Sequence, residues 1–399
     1  SCLGLLQAQL NLDPILLAPG NWEITPDQLE VRYTEGERLQ FKWLTRNRTR
    51  AKFTRRALSN KEYDLRLFAG EVPVEEVVVD FYNGRLSLVT FSIYNRADSG
   101  GIDGAQFKEY YIAIGKQISK LLNSKPLRRV ANKNQGLLTE GYSWSSSLGV
   151  GLLEHNEGAL DGADMEFLRL RISRKGAEGA LAASMTNRRG GASVRLSSLK
   201  DFVEEDDQGN TFVQGVPMVD QGAKGYCVVA SVQRLFEYFG IGADMHQLAE
   251  VTDADPDRGT STYLMAQSLD KIDYRFKTRL KILAMTNERG GLVEVEVKKG
   301  QYYVGDKLDE RKVMKMIRDS IDDGLPILWS LELGKFPEKP QLNPQTSGGH
   351  MRLIIGYNKE EELIIFSDSW GAGHEYKTMD ASHALRASRG LFVLKPTVN

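Results

Sequence analysis

The sequence predicts an α+β chain folded as two domains, and three observations predict it. Its 399 residues exceed what one hydrophobic core usually organises. A hairpin signal at Asn83-Gly84 is followed closely by one long amphipathic helix. Beyond a Gly-, Ala-, Ser- and Arg-rich stretch, a cysteine leads a second helix and short apolar segments follow. We read 1–20 as an N-terminal segment, 21–173 as an α+β accessory domain, 174–211 as a linker and 212–399 as a second domain.

In the first domain, Thr25 to Tyr33 reads as a short acidic helix, and Phe41 to Phe53 and Asp64 to Ala69 as strands. Val77 to Tyr82 and Leu86 to Tyr94 flank Asn83-Gly84, a pair suited to a tight hairpin because both turn positions need positive φ. Asp103 to Leu122 is a helix by its period, with Phe107, Tyr111, Ile114, Ile118 and Leu121 on one face. Tyr142 to Leu153 and Met165 to Ile172 read as strands; in the second, Leu168, Leu170 and Ile172 alternate with Arg169 and Arg171. An N-terminal antiparallel sheet carrying one long helix is the simplest assembly.

Charge excludes some partners. With 52 basic against 53 acidic residues and 41% apolar content, the chain has the balance of an ordinary soluble protein, and no nucleic-acid partner is implied. Two cysteines, Cys2 and Cys227, make no disulfide framework. Ser1 to Leu17 fits the remnant of a secretory signal, a lipid-attachment site at Cys2 or an amphipathic segment, so exported and cytoplasmic locations both stay open. No stretch reaches the ~20 apolar residues of a spanning helix. In the linker, Arg188-Arg189-Gly190-Gly191 is a processing site, a basic patch or, by composition, a solvated turn; Glu204 to Asp207 reads as a solvated face rather than a cation site.

The informative stretch runs from Val216 to Cys227, followed by a helix pattern from Val228 to Phe239 with Val232, Leu235, Phe236 and Phe239 on the buried side. Unpaired N–H groups and the dipole at a helix N-terminus favour a thiolate, the reactive form. Gly222 and Gly225 permit a sharp turn there and leave N–H groups free for a developing oxyanion. Alone, a free cysteine is more often a small buried hydrophobe.

A second feature changes the weight of the first. Gly348-Gly349-His350 opens an apolar strand, Met351 to Tyr357; a charged turn and a second strand, Leu363 to Phe366, lead into Asp368-Ser369-Trp370-Gly371. A His on one strand and an Asp just after the next can meet across the pair, where the carboxylate would hold the imidazole tautomer that a base needs. A satisfied core His and an Asp turn are the alternative for each residue taken singly.

On these residues the C-terminal half, about 212 to 395, resembles the papain-like cysteine peptidases, in particular their bacterial branch related to bacteriocin-processing (C39-like) peptidases. The resemblance implies a helix carrying the nucleophile Cys227 packed on an antiparallel sheet carrying His350 and Asp368. It also implies a Gln six residues before the nucleophile, matched by Gln221, whose amide helps form an oxyanion hole. Asp368-Ser369-Trp370-Gly371 stands at the Asn-Ser-Trp-Gly motif, and Trp370 would shield the Asp368–His350 contact from water. The helix Leu308 to Ile321 and the strand Leu325 to Leu331 follow the family's order. Tyr226 and Val228 depart from the small residue and the Trp or Gly usual beside the nucleophile, which suggests a narrowed entrance.

The expected activity is hydrolysis of peptide bonds in a protein or peptide substrate, with no metal or organic cofactor. A thiol acyltransferase or isopeptidase on the same fold, and an inactive papain-like binding or scaffold protein, are the alternatives. The first domain would recruit substrate or act as a propeptide. There is no HExxH, paired CxxC, P-loop or dinucleotide fingerprint. His374 follows the Trp-Gly motif and reads as a surface-loop residue, with the S′ side of a cleft as its alternative; His383 lies near the C-terminus, and His155 and His246 receive no role.

Overall fold

The computed structural model describes residues 8–16, 21–55, 63–131, 137–177, 185, 192–222, 226–252, 262–287, 290–298, 301–341 and 347–398. Cys2, Gly225 and Arg188-Arg189-Gly190-Gly191 lie outside the described residues. The chain divides into two compact units, 1–188 and 189–399.

The N-terminal unit is built on an eight-stranded antiparallel sheet. Its strand order is Leu127–Arg129, Thr139–Ser145, Val150–Asn156, Phe167–Ser173, Arg85–Asn95, Glu76–Tyr82, Arg50–Thr54 and Lys42–Trp43. The central hairpin turns at Asn83 (φ 50°) and Gly84 (φ 72°), the positive pair its sequence demands. The helix Gly104–Leu121 starts where the Asp103 carboxylate accepts hydrogen bonds from the Ala105 and Gln106 N–H groups. It buries Phe107, Tyr111, Ile114 and Ile118 in a core shared with Leu168, Leu170 and Ile172.

The opposite face of the strand Phe167–Ser173 carries the alternating arginines. Arg169 and Arg171 reach Glu154 at 2.9 and 3.1 Å, and Arg129 joins at 3.3 Å. Burial pushes the Glu154 carboxyl up, but Arg171, Arg169 and Arg129 outweigh it and hold its pKa at about 2.

Two segments read as single strands are each a pair. Tyr142 to Leu153 is interrupted by a turn closed by Ser146 N–H on the Gly149 carbonyl, and Phe41 to Phe53 divides into Lys42–Trp43 and Arg50–Thr54. Short polar turns of four to six residues lack the Asn-Gly signature that marks the central hairpin, so apolar content alone ran the strands together.

The C-terminal unit is a ten-stranded antiparallel sheet. Its main path runs Val203–Glu205, Asn210–Val213, Gly348–Asn358, Ile327–Leu333, Ser388–Pro396, Thr278–Thr286, Leu292–Lys298 and Gln301–Lys307; Leu363–Ser367 pairs with Gly348–Asn358, and Lys377–Asp380 pairs with Leu363–Ser367. The helix Cys227–Tyr238 is buried from Val228 to Tyr238 and packs on the strand Gly348–Asn358, where Ser231 Oγ donates to the Met351 carbonyl at 3.3 Å. A helix covered on all sides is a core helix.

The stretch 174–211 read as a linker holds structure of its own. Leu196–Phe202 is a 3₁₀ helix, and Val203–Glu205 pairs with Asn210–Val213, which continues onto Gly348–Asn358. Within the acidic run Glu204 to Asp207, Asp206 closes the hairpin turn by accepting from the Gln208 and Asn210 N–H groups. Among the described residues no helix is long and apolar enough to cross a membrane.

Candidate active site

The helix begins at Cys227 with Tyr226 as its flanking residue. Tyr226 is only 1% exposed and sets its ring against His246, centroids 5.9 Å apart, so it is a buried residue of the helix entrance rather than a protruding one. Val228 is buried as well. The large side chains beside Cys227 therefore fill the core, because the helix is buried on every side.

His350 stands on the strand Gly348–Asn358, opposite Leu331 of the neighbouring strand. Gly348 and Gly349 before it are exposed, and a Cβ on either would meet open space. Gly348 has φ 150°, a conformation that favours glycine. No side chain from these two positions crowds the approach to the imidazole.

Asp368 follows the adjacent strand Leu363–Ser367 and is fully buried. Its Oδ1 lies 2.6 Å from His350 Nε2 and accepts the Ser369 N–H at 3.1 Å. With Nε2 committed to the carboxylate, Nδ1 is the ring nitrogen left for the thiol, and Cys227 and His350 share a side-chain hydrogen bond. Trp370 stacks on the imidazole, centroids 4.6 Å apart with 16° between planes.

The electrostatics follow from these contacts. Burial pushes the Cys227 thiol up, but the hydrogen bond to His350 and the charge of His350 bring it below the ordinary thiol value. Burial pushes His350 down, yet Asp368 and then Cys227 raise it from 6.5 to about 9. For Asp368, burial raises the pKa while Arg352, His350 and Lys377 hold it well below the usual carboxylate range. These directions favour a thiolate beside an imidazolium.

Gln221 is buried in the loop before the helix, and its backbone N–H donates to the Ser369 carbonyl at 2.9 Å. Asp220 bridges Trp370, and Asp220 Oδ1 accepts the N–H of Gly222, which has φ 69°. The Gln loop and the Asp368-Trp370 loop are thus tied to each other.

Sequence reasoning missed four supporting residues. Arg234, two turns along the helix from Cys227, donates to the Pro217 carbonyl at 2.7 Å, the Asp368 carbonyl at 3.0 Å and Ser367 Oγ at 2.5 Å. Arg352 places Nε 2.7 Å from Asp368 Oδ2 and Nη1 2.6 Å from Glu338, and Lys377 also bonds Glu338. All four side chains are buried. A charged residue inside an apolar strand, two places from His350, was the one readable signal, because alternate residues share a strand face. The partners of Arg234 and Arg352 come from distant loops and left no local pattern.

His374, expected at the surface, is buried with its ring against Trp370 at 5.4 Å. The cause is its backbone: the His374 carbonyl accepts from the Asp368 N–H and from Ser367 Oγ, which draws the loop inward. His383 stacks on Phe336, and His155 bonds the Asn156 carbonyl through Nδ1.

Residues 213–388 match the model of the Peptidase_C39 like family. Among solved structures, xylellain, a cysteine protease from Xylella fastidiosa, is 15% identical; the alignment covers 52% of this chain and 92% of that one, with a TM-score of 0.30. No curated protein matches the chain.

Proposed function

We propose that the C39-like domain in the C-terminal unit is a cysteine peptidase that hydrolyses peptide bonds through Cys227, His350 and Asp368, with Gln221 in its oxyanion hole. The observation that carries the reading is the contact chain from the Cys227 thiol to His350 and from His350 Nε2 to Asp368 Oδ1 at 2.6 Å. The thiolate attacks the scissile carbonyl, and the Gln221 amide with the Cys227 N–H holds the oxyanion. The imidazolium protonates the leaving amine; then neutral His350 takes a proton from the water that hydrolyses the acyl-enzyme. Asp368 fixes the tautomer and stabilises the imidazolium, while Trp370 keeps water from that contact.

The test is alkylation of Cys227 by iodoacetamide against pH, wild type beside His350→Ala, with the label located by mass spectrometry. Fast labelling below pH 7 that collapses in the variant supports the pair. Labelling that rises only near the ~8.5 of a free thiol in both proteins overturns it.

The N-terminal unit is read as a module that recruits a protein or peptide substrate, with an inhibitory propeptide as the rival role. Cleavage between the units decides: hydrolysis faster than that of intact protein favours the propeptide, and an unchanged or slower rate favours recruitment.

A further inference from the structure

The Asp368 carboxylate is bracketed by two cations, one on each oxygen. His350 Nε2 sits 2.6 Å from Oδ1, and Arg352 Nε sits 2.7 Å from Oδ2. The same guanidinium reaches Glu338 through Nη1 at 2.6 Å and Nη2 at 3.4 Å and lies 4.6 Å over the Phe366 ring. Lys377 bonds Glu338 from the strand Lys377–Asp380, so the clamp on Arg352 is itself anchored.

We infer that Arg352 is a positioning residue, a guanidinium fork that fixes the rotation of the Asp368 carboxylate so that its other oxygen stays aimed at His350 Nε2. This inference rests on the peptidase reading above. The terminal torsion of an Asp side chain is broad and roughly two-fold, so burial alone does not aim one oxygen. The Ser369 N–H supplies a single hydrogen bond to Oδ1 at 3.1 Å. A planar guanidinium that spans Asp368 and Glu338 supplies the second fixed point, an ion-pair contact on Oδ2.

The charged and titratable groups around Asp368 come from every packed element. The strand Gly348–Asn358 gives His350 and Arg352, the strand Lys377–Asp380 gives Lys377, and the loop after Ile327–Leu333 gives Glu338. The helix gives Cys227, bonded to His350, and Arg234, bonded to the Asp368 carbonyl; His374 faces Trp370 from the following loop. Replacing Arg352 by Lys keeps the local charge and removes only the fork, so it isolates positioning from electrostatics.

The experiment has two readouts on the full chain. The first is the alkaline limb of Cys227 labelling by iodoacetate, whose carboxylate is drawn to the imidazolium, so that labelling falls when His350 loses its proton. The second is the low-field proton NMR signal of the His350 Nε2–H held by Asp368. In Arg352→Lys the limb is expected to move down by about one pH unit, because a looser carboxylate holds the imidazolium less firmly, and the low-field signal is expected to broaden or vanish. A folded Arg352→Lys protein with the wild-type limb and signal overturns positioning, whatever its melting temperature. Should that variant not fold, Glu338→Gln releases the anchor and is expected to shift the limb the same way by a smaller amount; a wild-type limb there overturns the inference, as does absence of the signal from the wild-type protein. Free-thiol labelling insensitive to His350→Ala would instead remove the peptidase reading while the low-field signal still reports on Asp368.

Discussion

The Trp370 indole lies almost parallel to the His350 imidazole, 4.6 Å between centroids, on the strand and loop that also bring Asp368 to the ring. The indole is half-buried, so one face meets the imidazole while part of its surface reaches solvent. We propose that it covers a contact whose strength depends on excluding water.

Trp370→Ala is therefore expected to wet the His350–Asp368 contact. His350, raised to about 9 chiefly against the opposing effect of burial by Asp368, should fall toward 6.5. Iodoacetamide labelling of Cys227 at neutral pH should drop by about tenfold, the scale of a misaligned acid–base pair. Trp370→Phe, which keeps an aromatic cover, should retain most of the rate. Equal rates in the alanine and wild-type proteins would dismiss the shielding role.

Asp368→Asn should lower stability more than its small change in shape suggests. The carboxylate contacts His350 and Arg352 while fully buried, and removing it leaves those cations to the Glu338 and Cys227 sides alone. Breaking a buried pair from one side costs about 3–5 kcal/mol. Urea unfolding should read a loss in that range; a change of about 0.5 kcal/mol, usual for a surface substitution, would mean the pair contributes nothing net. His350 should also lose its proton at lower pH in the variant, since the charge that raised it is gone.

Stability should depend on pH in a window set by the same two groups. His350 is raised in the folded protein, so its contribution is complete below its unfolded value near ~6.5 and is lost as pH rises through about 9. Asp368 is depressed, so its contribution is present above its unfolded value near ~3.9 and is lost as pH falls through its low folded value. Cys227 acts in the opposite sense, because its lowered thiol gives up a proton on folding, so the decline of urea midpoints between about pH 6.5 and 9 should be read in Cys227→Ser. His350→Ala should flatten that decline, and an unchanged slope in the variant would assign it to other groups.

What was legible in the sequence is explained by range. The helix after Cys227, the His strand and the Asp loop each carry a local pattern: apolar periodicity, a glycine pair, a turn. The long N-terminal helix and the hairpin at Asn83-Gly84 were readable for the same reason. Arg234, Glu338 and Lys377 were not, because their contacts join residues that are 14 to 134 positions apart and lie on different elements. His374 was misread because a polar Gly-rich loop usually faces water, while this one is pulled in by its own backbone hydrogen bonds. The strands Leu292–Lys298 and Gln301–Lys307 passed unnoticed, although Val293, Val295 and Val297 alternate with Glu294 and Glu296 in the first.

Two glycines of the N-terminal unit should respond to alanine in opposite directions. Gly115 lies within the helix Gly104–Leu121, and a Cβ there meets nothing within 4 Å. Alanine loses less conformational freedom on folding, so Gly115→Ala should stabilise by about 0.5–1 kcal/mol. Gly141 sits at φ 145° opposite Glu154, and a Cβ there would collide with the Leu153 carbonyl, which is backbone and cannot swing aside. Gly141→Ala must therefore move the strand that carries Glu154 and disturb its contacts with Arg129, Arg169 and Arg171, an expected loss above about 3 kcal/mol. Thermal unfolding of the two variants checks both signs. A Gly141→Ala protein that melts with the wild type would mean that the close approach of these strands is not present in solution.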